Sequence, residues 1–195
     1  MGKIYGKITD KYNQPMQEVM AGIMDKNFEL QYQTVTNIDG TFCLELPEGE
    51  YPFFMAVRDY GEKYLEYWCN NISVQDSVEL NFSIDTLEVY GMHVFEICGA
   101  APVLTVYFRP MSLVKALAQE ADIAPVITED SITFKVNGEE CKVLVMNQVK
   151  EYTQDGMLTA YLVQITRPIN IQERNKLDIT LRDVDGNMGM GSLYF

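Results

Sequence analysis

The feature that most constrains the fold of this chain is a two-residue alternation of apolar and polar side chains, interrupted at short intervals by turn formers. Residues 41–46 (TFCLEL) alternate in this way directly after the turn signal at residues 37–40 (NIDG). Residues 132–136 (ITFKV) do the same before Asn137-Gly138, a strong hairpin signal. Because successive side chains of a strand point to opposite faces, the pattern predicts half-buried strands and an all-β protein.

The length of 195 residues is compatible with one large sandwich or with two domains of about 100 residues each. Residues 87–97 could form a strand that leads from one domain to the next, and residues 98–102 (CGAAP) after it interrupt the strand pattern near the middle of the chain. We therefore expect two antiparallel β-sandwich domains, at residues 1–88 and 89–195. Residues 112–121 favour helix, with Ser112 as the N-cap, which predicts one short helix in the second domain.

Four segments of the first half occur in an order and spacing typical of one known family. They are residues 6–10 (GKITD), 15–19 (PMQEV), 34–42 (TVTNIDGTF) and 46–51 (LPEGEY). Together they resemble the carboxypeptidase regulatory-like domains, although Gln14 stands where that family usually has glycine. The resemblance implies a prealbumin-like sandwich that serves as a structural or binding accessory module of bacterial surface and polysaccharide-processing proteins. The second half resembles a bacterial immunoglobulin-like sandwich only in a generic way.

The charge of the chain narrows the choice of partners. Fifteen basic and 28 acidic residues give a formal charge of −13, and the basic residues form no run. Nucleic acid and anionic membrane surfaces would be repelled, whereas a protein, a neutral sugar or a cation would not. No apolar stretch approaches the roughly 20 residues that span a bilayer, so membrane insertion is not expected.

Two further properties follow from simple counts. Met1 leads directly into a strand pattern without a signal peptide, so a cytoplasmic location is expected, or a cell-surface or secreted one if an export signal had preceded it. The four cysteines, at positions 43, 69, 98 and 141, are widely separated and lack C-x-x-C pairs. Two disulfides would be permitted, but free thiols are favoured.

No catalytic set is recognisable, and we expect no enzymatic activity. His93 is the single histidine, so any histidine-dependent nucleophile would have to be built around it. It lies in an apparent strand between the domains, which favours a structural role. Phosphate-binding glycine loops and dinucleotide fingerprints are also absent from the sequence.

One acidic segment suggests a metal, although no cofactor is expected otherwise. Asp183, Asp185 and Asn187 present oxygen atoms at alternate positions, as a loop that surrounds calcium does. The bidentate glutamate expected downstream is missing. An Asp-Gly turn between two strands explains the same residues, and we favour that interpretation over a calcium site.

The best candidate for ligand binding is an aromatic stretch at residues 60–68 (YGEKYLEYW). In an extended strand Tyr64, Glu66 and Trp68 share one face, and Tyr60 lies nearby. Aromatic faces beside hydrogen-bonding groups suit sugar rings. For Trp68 itself we favour a place in the core of the first sandwich or at the junction between domains, and it could also anchor a protein partner.

These observations predict a non-catalytic interaction or adhesion-type protein that binds carbohydrate or associates with a polysaccharide-processing assembly. The alternative is a purely structural accessory or spacer protein that acts through protein contacts, with no small-molecule site.

Overall fold

The computed structural model of the chain describes residues 1–97, 99, 101–153 and 156–195. The strands are β1 (Gly2–Thr9), β2 (Met20–Met24), β3 (Leu30–Val35), β4 (Thr41–Leu46), β5 (Gly49–Val57), β6 (Tyr67–Val74), β7 (Ser77–Glu79), β8 (Phe82–Ser83), β9 (Leu87–Phe95), β10 (Val103–Ser112), β11 (Ile132–Val136), β12 (Glu139–Cys141), β13 (Val143–Thr153), β14 (Gly156–Thr166), β15 (Lys176–Arg182) and β16 (Met188–Tyr194). The helical elements are α1 (Leu113–Leu117) and a 3₁₀ turn (Glu129–Ser131). The prediction of an all-β fold with one short α-helix is confirmed.

The strands of the described residues form three sheets. The N-terminal sheet has the order β4-β1-β7, with β8 also paired to β1, and the C-terminal sheet has the order β13-β14-β10-β9. The central sheet has eight strands in the order β12-β11-β15-β16-β6-β5-β2-β3. Neighbouring strands are antiparallel except where β1 meets β7 and β8 and where β16 meets β6.

The central sheet contains strands from both halves of the chain. Its halves join where β6 pairs in parallel with β16, in a register that places Trp68 opposite Gly191. The boundary predicted between residues 88 and 89 falls inside β9. The division into two domains stays a prediction, while the strands themselves show one sheet shared by the two halves.

The central sheet separates two hydrophobic cores. The N-terminal core fills the space between the N-terminal and central sheets, and the C-terminal core fills the space between the C-terminal and central sheets. Alternate residues of one strand serve both cores: Tyr67 and Cys69 of β6 face the N-terminal core, whereas Trp68 between them faces the C-terminal core. Because both faces of the first part of β6 are covered, Tyr67, Trp68 and Cys69 are apolar in succession rather than in alternation.

Close packing of β9 on the central sheet depends on two glycines of β16. A Cβ atom at Gly189 would lie 2.8 Å from the backbone carbon of Leu87, and one at Gly191 would lie 2.9 Å from the Cβ of Val89. Real Cβ atoms do not approach other atoms so closely. Glycine therefore permits β9 to lie directly against β16.

The predicted turn and helix signals have clear structural counterparts. Asn137 and Gly138 have φ angles of 52° and 83° and join β11 to β12, which confirms the predicted hairpin. Ser112 caps α1 by accepting a hydrogen bond from the Lys115 N–H at 3.4 Å. The helix ends at Leu117, earlier than the helix-favouring composition of residues 112–121 indicates. No helix in the described part of the chain is long and apolar enough to cross a membrane.

Candidate functional site

The structure rearranges the predicted aromatic segment. Strand β6 begins only at Tyr67, and the residues before it form a turn. Tyr64 packs against the N-terminal core, whereas Trp68 belongs to the C-terminal core. Tyr64 and Trp68 therefore do not share a face as expected, because the two-residue alternation does not extend back from β6 into the turn, whereas the side chain of Glu66 remains beside Trp68.

Trp68 is 6% exposed, and its indole N–H donates to Oε1 of Glu88 at 3.0 Å. The tryptophan thus occupies the region where the strands of the first half meet β9, one of the positions that the sequence left open. The proposed binding role of Tyr60, Tyr64, Glu66 and Trp68 stays a prediction, and the burial of the indole limits direct stacking on a sugar.

Glu88 is the residue around which three of these side chains gather, and sequence reasoning missed it. It is 1% exposed, and its Oε2 accepts from the Glu66 N–H at 3.3 Å. Burial, followed by the neighbouring Glu66 carboxylate, raises the pKa of Glu88 to about 8. The pKa of the Tyr60 hydroxyl is raised as well, first by partial desolvation and then by the Glu88 and Glu66 carboxylates, although the side chain as a whole is exposed. The available signal was a charged residue between Leu87 and Val89, two apolar residues of one strand.

A small aromatic cleft opens beside the indole, and we call it the Trp68 cleft. Its volume is about 190 Å³, and it is lined by Phe28, Phe53, Trp68, Asn70, Tyr90, Gly91, Met92 and His93. The ring of Phe28 stacks on that of Phe53 at 5.0 Å, and both stand edge-on to Trp68 at 6.0 Å. His93 is exposed at this cleft rather than enclosed in a core.

A larger cleft lies where the two halves of the central sheet meet, and we call it the junction cleft. Its volume is about 800 Å³. It is lined by Lys26, Glu50, Tyr51, Pro52, Asn71, Gln75, Glu173, Arg174, Tyr194 and Phe195. Three half-buried aromatic rings thus stand among acidic, basic and amide groups, and they come from segments far apart in the sequence.

Arg174 organises the polar side of the junction cleft. Its guanidinium forms an ion pair with Glu50 at 2.7 Å, donates to the backbone carbonyl of Asn71 and lies 5.6 Å from the ring centre of Tyr194. The pKa of Glu50 is below its usual value, mainly because Ser73 donates a hydrogen bond to its carboxylate. Slight burial opposes this effect, and Arg174 adds to it. These contacts orient the charged groups at the edge of the cleft, and Arg174 lies over one face of Tyr194 while Tyr51 and Phe195 have no such cation over their rings among the described residues.

The Tyr51 and Tyr194 hydroxyls have different environments. Tyr51 donates from its hydroxyl to the backbone carbonyl of Pro47 at 2.6 Å, which orients its ring. Burial, followed by the nearby Cys69 and Asp178, raises the pKa of Tyr194 above its usual range. Both rings therefore remain neutral at physiological pH and present apolar faces with polar edges.

The segment predicted to bind calcium forms a closed turn. Oδ1 of Asp183 accepts from the N–H groups of Asp185 and Asn187, and its Oδ2 accepts from the Asn187 side-chain amide at 2.8 Å. The side-chain oxygen of Asn187 accepts from Lys11 at 3.2 Å. The same pattern occurs in three other turns, where the side-chain oxygens of Asp10, Asp25 and Asn37 accept from the N–H groups two and four residues further along the chain.

The Asp183 side chain therefore acts as a turn cap, as in those three places. Within the described residues, no group of three or more histidine, cysteine or acidic side chains is arranged to hold a metal ion. Calcium binding stays an untested prediction. Cys43, Cys69 and Cys141 are free thiols, as expected, and the fourth cysteine, at position 98, lies outside the described residues.

Comparison with known proteins gives distant similarities only. No family model matches the chain, so the resemblance to carboxypeptidase regulatory-like domains is not confirmed, and no curated protein matches it. The major pilin subunit BcpA of Bacillus cereus is 12% identical, with a TM-score of 0.32, and the match covers 98% of this chain and 67% of the pilin.

Two Bacteroides structures match over nearly their full length. A DUF3823 family protein of Bacteroides ovatus is 10% identical, with a TM-score of 0.33, and the match covers 99% of this chain and 98% of that one. A Bacteroides uniformis protein, provisionally described as carbohydrate-binding, is 9% identical with a TM-score of 0.32, covering 100% of this chain and 98% of that one. At these TM-scores, the assignment of a β-sandwich rests on the sheets of the chain itself.

Proposed function

We propose that this chain is a non-catalytic, adhesion-type interaction protein that binds carbohydrate in the junction cleft. The observation that carries the proposal is the combination of Tyr51, Tyr194 and Phe195 with Glu50, Asn71 and Arg174 in one open cleft. Apolar ring faces next to fixed hydrogen-bonding groups are what a sugar requires, because its C–H face stacks while its hydroxyls form hydrogen bonds.

The dimensions and charges of the cleft agree with this ligand class. Its volume of about 800 Å³ lies within the range of small-molecule sites and exceeds what a single sugar ring occupies. Both acidic and basic side chains line it, so hydroxyl groups find acceptors and donors together. A strongly anionic polymer would meet the overall charge of −13, which favours neutral glycans.

The resemblance of segments between residues 6 and 51 to carboxypeptidase regulatory-like domains, which no family model confirms, is compatible with the same proposal. Those domains accompany proteins that process polysaccharides and contribute no catalytic residue. A carbohydrate-binding accessory module would fit this setting. The proposal extends the sequence prediction but places the site in the junction cleft rather than at residues 60–68. The reason is that Trp68, the main aromatic residue of that segment, is buried.

A neutral-glycan panel, followed by calorimetric titration of each hit, tests the proposal. Arg174→Ala should weaken binding about tenfold, since it removes a charged donor at the cleft. Arg167→Ala is the matched control, because Arg167 forms a comparable surface ion pair with Glu96 at 2.9 Å outside the cleft. A panel without hits, or equal affinities for both variants, would contradict the proposed site.

The alternative of a spacer protein has one observation in its favour. Strand β3 is an edge of the central sheet, its residues 30–35 carry no charge, and Leu30, Tyr32 and Val35 are 40%, 37% and 57% exposed. An uncharged edge of this kind can add a strand from another protein. Light scattering of the wild type and of Tyr32→Lys would show self-association through β3 as a mass that falls in the variant.

A further inference from the structure

The Trp68 cleft has the features of a second ligand site, separate from the junction cleft. Its wall consists of four aromatic rings, those of Phe28, Phe53, Trp68 and Tyr90, together with Met92. The polar groups at the cleft are the amide of Asn70 and the imidazole of His93. Apolar walls with a few polar groups are typical of small-molecule sites.

The backbone adopts the left-handed conformation at two residues that line this cleft. Gly91 has a φ angle of +61° in β9, and no heavy atom lies within 4 Å of the position that its Cβ would occupy. Phe28 has a φ angle of +62°, a left-handed conformation that is unfavourable for an aromatic residue. Asp25 holds this turn, because its carboxylate accepts from the N–H groups of Asn27 and Glu29.

The strained turn places an aromatic ring over the cleft. Phe28 is 47% exposed although its ring stacks on Phe53. A ring that is only half covered leaves apolar surface available to a further group. Strained backbone at such a position is often part of a binding site.

The charges around the cleft indicate a neutral ligand. No aspartate, glutamate, lysine or arginine of the described residues lines it. The guanidinium of Arg109 already lies over the ring of Tyr90, 4.8 Å from its centre, which leaves less of the π-electron density of that ring for a cationic ligand. An apolar protein cavity of about 150 Å³ holds benzene, so about 190 Å³ accommodates one substituted ring.

We propose that the Trp68 cleft binds a neutral, single-ring aromatic group of about the size of a phenol. The ring packs mainly against the half-exposed Phe28 and touches only the part of Trp68 that lines the cleft, and its polar substituent reaches the amide of Asn70 or the imidazole of His93. The ligand class follows from the walls of the cleft and does not depend on carbohydrate binding at the junction cleft.

The test uses 4-fluorophenol as the probe, with the indole N–H resonance of Trp68 and the fluorine resonance of the probe as readouts. The Trp68 resonance should shift in a saturable manner. Phe28→Gly should weaken binding about tenfold, because it removes a stacking ring. Glycine adopts the φ angle of position 28 without penalty, so this variant should fold, as far-UV circular dichroism would verify.

Two controls make the outcome decisive. Asn13→Gly changes another turn residue with positive φ that does not line the cleft, and it should leave affinity unchanged. Cyclohexanol has a similar size without aromaticity and should bind more weakly than the phenol. The proposal is overturned by an unshifted Trp68 resonance, by equal affinities of Phe28→Gly and Asn13→Gly, or by cyclohexanol binding as tightly as 4-fluorophenol.

Discussion

The buried carboxyl group of Glu88 should make the stability of the fold depend on pH. It accepts hydrogen bonds from the Trp68 indole and the Glu66 N–H, and the cation among its neighbours, Arg109, is itself paired with Glu151 at 3.1 Å. Replacing the group by the neutral amide in Glu88→Gln removes the titration and keeps the side-chain shape. Stability measured against pH in the two proteins therefore isolates this carboxyl.

The direction follows from the two pKa values of Glu88, about 8 when folded and 4.5 for a free glutamate. Between these values the unfolded chain has lost the proton that the folded chain retains. The contribution of Glu88 to the free energy of unfolding is therefore largest below about pH 4.5. It decreases as the pH rises and levels off above about pH 8.

The magnitude is substantial for a small protein. A gap of about 3.5 pH units corresponds to about 5 kcal/mol at most, at about 1.4 kcal/mol for each unit. Glu88 is 1% exposed, so solvent screening reduces this value little. Glu66, whose pKa is also raised by burial, acts in the same direction.

Urea unfolding, followed by circular dichroism and Trp68 fluorescence from about pH 4 to about pH 9, measures the effect. The free energy of unfolding of Glu88→Gln should decrease much less over this range than that of the wild type. Below pH 5 the variant should be less stable by about 1 kcal/mol, because its amide nitrogen cannot accept from the Glu66 N–H. The exposed Glu62→Gln is the control, and parallel curves for wild type and Glu88→Gln would refute the reasoning.

Three further perturbations test other parts of the structure. Gly6→Ala should lower stability by about 3 kcal/mol or more, because the new Cβ would lie 1.8 Å from the carbonyl oxygen of Leu80; an unchanged melting temperature would contradict this packing. Thr36→Val should cost about 1–3 kcal/mol in urea unfolding, since the buried hydroxyl accepts from Val19 and donates to Met16; an equal loss in Thr34→Val, on the edge strand, would argue against that bond. Calcium should leave the melting temperature unchanged, because the turn itself occupies the Asp183 oxygens; an increase that Asp183→Asn abolishes would instead establish a calcium site.

Much of the fold was predictable because its signals are local. Apolar alternation in residues 41–46 and 132–136 matches strands β4 and β11, since a strand's side-chain period of two is a property of its own backbone. The Asn137-Gly138 hairpin and the Ser112 cap likewise depend on neighbouring residues alone. Such features survive without knowledge of what packs against them.

The candidate sites were less predictable because they are assembled from distant segments. The junction cleft combines Tyr51 with Arg174 and Tyr194, and no local motif connects these residues. The sequence favoured a buried Trp68 but did not show which core encloses it, because Tyr67, Trp68 and Cys69 are buried in succession on both faces of β6. Local periodicity shows that a residue faces one side of a strand, and it does not show what lies on that side.

The sequence by itself determined the strand-rich class of the protein, several of its turns, the short helix, and a charge that disfavours polyanionic partners. Tertiary structure alone decided that β6 pairs with β16, that Glu88 lies beneath the only tryptophan, and that two aromatic clefts form beside the shared sheet. The physical reason is that backbone geometry and turn formation act between neighbours in the chain. Sheet order, burial and the pKa of a carboxyl depend on contacts that only the folded chain brings together.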